Sequence, residues 1–117
     1  MTAQLCFVQG TLDVLVLRAL VSGPLHGHGV ARFIHSASRG SFRVLDGALY
    51  TALHRLDSRG WVESEWGQSD ARKRARFYRL TKKGRRALNR EMIAWEHYTA
   101  TVALVLAAAP NPSGISS

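Results

Sequence analysis

Cysteine is all but missing from this chain: Cys6 is the single one among 117 residues. One thiol cannot close an intrachain disulfide or furnish a multi-cysteine zinc site, and this fits a reducing compartment. Cys6 itself reads as a small buried apolar residue. Long apolar runs are missing as well. The stretch from Val102 to Ala109 is too short to cross a bilayer, and the N-terminus lacks the basic flank and apolar run of a secretion signal. The chain therefore reads as cytosolic, with no membrane partner. Catalytic constellations are also lacking. No nucleophile stands beside a base in a recognisable motif, and there is no phosphate-cradling Gly-rich loop and no convincing carboxylate pair, so neither an enzyme nor a cofactor is expected. The five histidines offer His26 and His28 as their closest pair. Zinc normally needs three or four ligands fixed together, so no metal site is expected.

Acid is the scarcest commodity relative to its opposite. Eight Asp and Glu face sixteen Lys and Arg, for a formal charge of +8. Arg72, Lys73, Arg74, Arg76, Arg79, Lys82, Lys83, Arg85, Arg86 and Arg90 fall in one run that contains no Asp or Glu. Solvated surfaces usually intersperse both signs, whereas a polyanion attracts such a run through Coulomb energy and the release of condensed counterions. Nucleic acid is the leading partner class. A chain of this length and 46% hydrophobic content can bury one modest core, which predicts a single domain with an appended element.

The chain order refines this. Thr11 can cap a first helix whose residues Leu12, Val14, Leu15, Val16, Leu17, Leu20 and Val21 are apolar nearly all round, so it must be covered on several sides. Ser22-Gly23-Pro24 breaks it, and in the second helix Val30, Phe33 and Ile34 share one face before Gly40 ends the segment. Asp46 is placed to cap a third helix with Leu49, Ala52, Leu53 and Leu56 on one side and Gly60 as its stop. The same periodicity turns Gly47, Thr51, His54 and Ser58 outward, with Tyr50 and Arg55 flanking. These groups suit base edges and phosphates, and the small Gly47 and Ala48 permit close approach of the helix start to DNA. Trp61 to Trp66 alternates as a half-buried strand and Ala75 to Leu80 returns as its partner. Gly67 to Arg74 becomes a hairpin tip that carries Arg72, Lys73 and Arg74, with Arg76 just behind, toward a phosphate backbone or minor groove.

Three helices and a basic hairpin make a winged helix-turn-helix, a mainly α fold with a small β-hairpin, over residues 1–80. Thr81 then caps a long C-terminal helix over residues 81–109, in which Leu88, Met92, Trp95, Thr99, Val102 and Leu106 recur at alternating spacings of four and three. Such a seam is most economically buried against its copy in a second subunit, which predicts a homodimer. The tail over residues 110–117 is expected to be disordered.

These residues resemble the PadR-like transcriptional regulators. The resemblance covers roughly Gly10 to Leu106. It is carried by Gly10-Thr11-Leu12-Asp13, Gly23-Pro24-Leu25-His26-Gly27, Gly47-Ala48-Leu49-Tyr50 with Leu53-His54-Arg55-Leu56, and Arg76-Phe77-Tyr78-Arg79-Leu80-Thr81 with Gly84-Arg85-Arg86. It implies a repressor-like bacterial or archaeal regulator that binds double-stranded DNA, with the third helix in the major groove, the hairpin as wing and the fourth helix crossing to its partner. Ala48 stands where the family commonly has Ser, Thr51 where it has Pro, and His28 where an aromatic is usual. The operator therefore cannot be borrowed from relatives, and an imidazole at the start of the second helix could add a pH-sensitive phosphate contact. Some relatives hold flat aromatic ligands against a Trp of the C-terminal helix, which implies Trp95 as a contact for a planar aromatic effector, though a seam Trp also serves as a packing anchor. Two other classes remain open on the sequence: a winged-helix adaptor that binds protein, and a small-molecule-binding dimer without specific operator recognition.

Overall fold

The computed structural model describes residues 10–69 and 71–110. Cys6 and the tail beyond residue 110 lie outside them. The elements follow in the order α1 (Thr11–Ala19), β1 (Leu25–His26), α2 (Gly27–Ala37), α3 (Asp46–Ser58), β2 (Val62–Gln68), β3 (Arg74–Leu80) and α4 (Lys82–Ala107). This is a mainly helical winged-helix fold. Its antiparallel sheet has three strands in the order β1-β3-β2, one more than the hairpin expected from alternation. The additional strand pairs Leu25 with Tyr78 and His26 with Phe77.

The core explains why α1 is apolar on so many sides. It packs against α2, α3 and α4 at once, and Val16 and Leu17 are fully buried among Leu20, Val30, Ile34, Leu53, Leu56 and Val62. Burying each such aliphatic side chain contributes about 1.5–3 kcal/mol relative to exposure. Phe33 does not join this core. It is exposed, because α2 turns only the Val30 and Ile34 side inward. Leu88 moves in the opposite direction: at 6% exposure it belongs to the core of its own chain, since the first turns of α4 lie against the domain before the helix leaves it.

Helix ends show where local chemistry decides. Thr81 Oγ1 accepts the Gly84 N–H at 2.9 Å and donates to the Gly60 carbonyl at 2.6 Å. It therefore caps α4 and ties it to the stop of α3, where Gly60 takes the left-handed φ of 75°. The Trp61 carbonyl accepts the Thr81 N–H at 3.1 Å and lies so close to Gly84 that a Cβ there would sit 1.9 Å from it. One knot of backbone thus fixes α3, the wing and α4. Two expected caps fall elsewhere. Gly10, in the left-handed region, precedes α1, and Thr11 is its first helical residue, with Oγ1 buried and unpartnered among the described residues. Leu45 precedes α3, and Asp46 sits in the first turn without a capping bond, where its charge still complements the helix dipole.

Candidate nucleic-acid interface

α3 buries Leu49, Ala52, Leu53 and Leu56, the four residues its periodicity assigned inward. That fixes its rotation about its axis, and Gly47, Ala48, Tyr50, Thr51, His54 and Ser58 are exposed as a result. At Gly47 a Cβ would meet nothing within 4 Å. No packing within the chain therefore requires glycine there, while the helix forgoes the better propensity of alanine. Arg55, expected on the flank of that face, is exposed and is also paired within the chain. Its Nε donates to Asp13 Oδ2 at 2.9 Å and its Nη2 to Oδ1 in a two-pronged pair, and this bond to the carboxylate raises the guanidinium pKa above its ordinary value. Arg59 adds a 3.8 Å contact to the same carboxylate. Arg55 is engaged in holding α1 to α3, a role that only the tertiary structure reveals.

The wing is a regular ladder from Val62↔Leu80 to Gln68↔Arg74, so its tip is shorter than expected, confined to residues 69–73. The tip closes through the Ser69 N–H to the Lys73 carbonyl at 2.9 Å, with Arg72 in a left-handed conformation at φ 58°. Arg72, Lys73, Arg74 and Arg76 are all exposed. A concavity of about 770 Å³ joins the wing to the helices. It is lined by His26, Gly27, His28 and Arg32 of β1 and α2, by Tyr50 of α3, and on the wing by Trp66, Lys73, Arg74, Arg76 and Tyr78 among others. Among the described residues no Asp or Glu lines it. Gly27 leaves room for the Tyr50 ring as placed: a Cβ there would stand 2.8 Å from its hydroxyl. Burial raises the Tyr78 phenol pKa above its ordinary value, against an opposing pull from Arg76. A groove whose described lining is basic and polar, beside a helix face of hydroxyl and imidazole groups, is suited to a polyanion.

A sequence profile described as the transcriptional regulator PadR-like family matches residues 16–90. The chain belongs to the PadR-like family of transcriptional regulators. A transcriptional regulator of Mycobacterium tuberculosis is 36% identical over 90 residues, which cover 77% of this chain and 80% of that protein. The PadR family transcriptional regulator of Eggerthella lenta shares 29% identity and a TM-score of 0.73, with 86% of each chain covered. A transcriptional regulator of Clostridium thermocellum, at 23% identity, matches in fold with a TM-score of 0.74 over 81% of this chain and 92% of its own.

In this PadR-like chain α4 is 26 residues long, and beyond Leu88 its expected seam is uncovered. Met92, Trp95, Thr99, Val102 and Leu106 are all exposed, Leu106 at 80%. The Thr99 hydroxyl is turned back to the Trp95 carbonyl at 3.0 Å. Trp95 and Tyr98 stand with ring centroids 6.1 Å apart beside a groove of about 490 Å³ that Val14, Leu15 and Phe42 also line. Among the described residues no helix is long and apolar enough to cross a membrane, and no group of three or more His, Cys, Asp or Glu could hold a metal ion. Sequence reasoning missed three residues that the structure brings to the groove between the wing and the helices. His26 caps α2, its Nδ1 accepting the Gly29 N–H at 2.9 Å, which is a nonstandard cap that Ser, Thr, Asn and Asp rules overlook. Arg32 lies outside the basic run, and Trp66 was assigned only to a strand.

Proposed function

We propose that this PadR-like regulator is a homodimer that binds an inverted-repeat operator in double-stranded DNA and represses by excluding polymerase. α3 enters the major groove, with Gly47 and Ala48 at its close-approaching start and Thr51 and His54 toward base edges. The wing residues Arg72, Lys73, Arg74 and Arg76 follow the phosphate backbone. The observation that carries this reading is the one groove in which Tyr50 of α3, His28 and Arg32 of α2 and Lys73, Arg74 and Arg76 of the wing converge, with no acid among its described lining residues. The uncovered stripe of α4 supports the dimer, and two reading helices then meet successive major grooves about 34 Å apart or a small multiple of it. The test is binding of the purified protein to a duplex of its own upstream region, titrated against salt with nonspecific duplex as competitor. Specific binding with dimer stoichiometry, falling steeply with salt, is expected. Binding no better than to the competitor would remove the regulator reading in favour of a protein-binding adaptor.

The groove beside Trp95 supports a second element. It is mainly apolar, carries two tilted aromatic rings and has Glu91 on its lining. Such a lining suits a planar aromatic effector. By binding between α1 and α4 such a ligand would act through differential affinity for the DNA-competent spacing of the two heads. Quenching of Trp95 fluorescence by planar aromatics, lost in Trp95→Leu, is the check; an unchanged spectrum assigns Trp95 to packing alone.

A further inference from the structure

Trp66 is 55% exposed, which the core does not explain. Strand pairing puts it opposite Arg76 and beside the Gln68↔Arg74 pair, so its indole and the side chains of Arg74 and Arg76 share one face of the ribbon. Both guanidinium carbons lie over the ring, Arg74 at 4.6 Å from its centroid and Arg76 at 5.3 Å. The acidic residues of β2 occupy the other face, where Glu63 pairs with Arg79 at 2.6 Å, while neither Arg74 nor Arg76 has an ion pair among the described residues. Among the described residues the ribbon therefore has a back where acid pairs with base and a front where Arg74 and Arg76 are without an ion pair, and the front lines the groove.

We propose that Trp66 is a positioning residue for DNA binding, its indole holding Arg74 and Arg76 together as a clamp for one segment of phosphate backbone. This rests on the DNA-binding reading above. Each guanidinium carbon lies over the indole, and a guanidinium held there by cation–π attraction still has N–H donors to offer phosphate oxygens. Holding both in place before binding removes rotamer entropy that two free arginines would lose on contact. The two like charges repel each other, with no carboxylate paired to either among the described residues, and a phosphate offsets that repulsion.

The experiment uses the full chain with Trp66→Leu, Trp66→Tyr, the double variant Arg74→Ala with Arg76→Ala, and that double variant combined with Trp66→Leu. Duplex binding is measured at several salt concentrations. Trp66→Leu is expected to weaken operator and nonspecific duplex alike by about 5- to 30-fold with an unchanged salt slope, because both charges remain. Trp66→Tyr should restore most of the affinity. The double arginine variant should flatten the salt slope by about 0.9 for each of two lost contacts, and adding Trp66→Leu to it should cost nothing further. An undiminished Trp66→Leu effect in that background overturns the proposal, since it assigns Trp66 a direct contact or a structural role. The clamp is also read without DNA, as ring-current shifts of the Arg74 and Arg76 side-chain protons that vanish in Trp66→Leu. Wild-type protein that binds duplex but lacks these shifts overturns the clamp alone. Wild-type protein that shows the shifts but binds no duplex overturns the DNA-binding reading and the clamp's purpose with it.

Discussion

Glycine means different things at two positions of this chain, and the difference separates folding from function at the scale of one methyl group. At Gly84 a Cβ would stand 1.9 Å from the Trp61 carbonyl, a backbone atom held by the Thr81 N–H and unable to retreat as a flexible side chain would. Gly84→Ala should therefore lower stability to urea by about 3 kcal/mol or prevent folding, at the upper end of overpacking costs. Little change in the unfolding midpoint would show that the knot between wing and α4 is loose. At Gly47 a Cβ has open space, and Gly47→Ala should hold or raise stability, by up to about 1 kcal/mol on helix propensity. Its duplex affinity should nevertheless fall, because in the proposed mechanism the added methyl stands where the helix start approaches DNA. Unchanged affinity would move the close approach elsewhere on α3. Arg55 belongs to the same scale. Its pair with Asp13 is half-exposed on the arginine side, so Arg55→Ala should cost no more than about 1 kcal/mol of stability and leave operator preference intact. A change in preferred operator would return Arg55 to the reading face.

In the proposed mechanism, elements divide the labour of recognition between positioning and reading. Arg72, Lys73 and Arg74 at the wing tip are exposed charges with no base-specific geometry, so replacing any one by Ala should weaken binding to all duplexes and lower the salt slope by about 0.9 per lost phosphate contact. An unchanged slope removes the tip from the interface. Thr51→Ala or His54→Ala on α3 should instead change which operator is preferred, at a cost of about 1–3 kcal/mol for a lost base contact; uniform weakening would make them positioning contacts. The sequence showed these elements where their causes are local. The inward face of α3 was legible because four apolar residues repeat at helical spacing, and the α4 cap because Thr81 precedes a helix start. β1 was not legible, since two residues become a strand only by pairing with β3. The Arg55–Asp13 bond spans 42 positions, beyond any periodicity. Alternation along β2 was read correctly, yet Trp66 is exposed because the ribbon has outrun the core at that point. His26 escaped because imidazole is an uncommon helix cap.

At the scale of the whole molecule, the longest dimension of 66 Å reflects a helix that outreaches its own domain. α4 spans about 39 Å at 1.5 Å per residue, and only its first turns, through Ala87 and Leu88, are buried. Met92, Trp95, Val102 and Leu106 continue the stripe in the open, and apolar Ile93, Leu104 and Val105 flank it. A second subunit covers such a stripe at no cost in new sequence and, in the proposed mechanism, ties two reading heads together. Tethering raises the effective concentration of the second head to the millimolar range. Met92→Glu with Val102→Glu places charge in the seam without touching Leu88, so each domain should fold with its core unchanged while sedimentation shows a monomer. Operator affinity should fall by about 100-fold or more, by the loss of that effective concentration. The salt slope should fall by about half, because one wing and one reading helix now contact DNA in place of two. These readouts separate the causes: affinity lost with an undiminished slope indicates a damaged head, and a dimer that persists with both glutamates in place puts the interface on another face of α4, where Ile93, Leu104 and Val105 are the next residues to test.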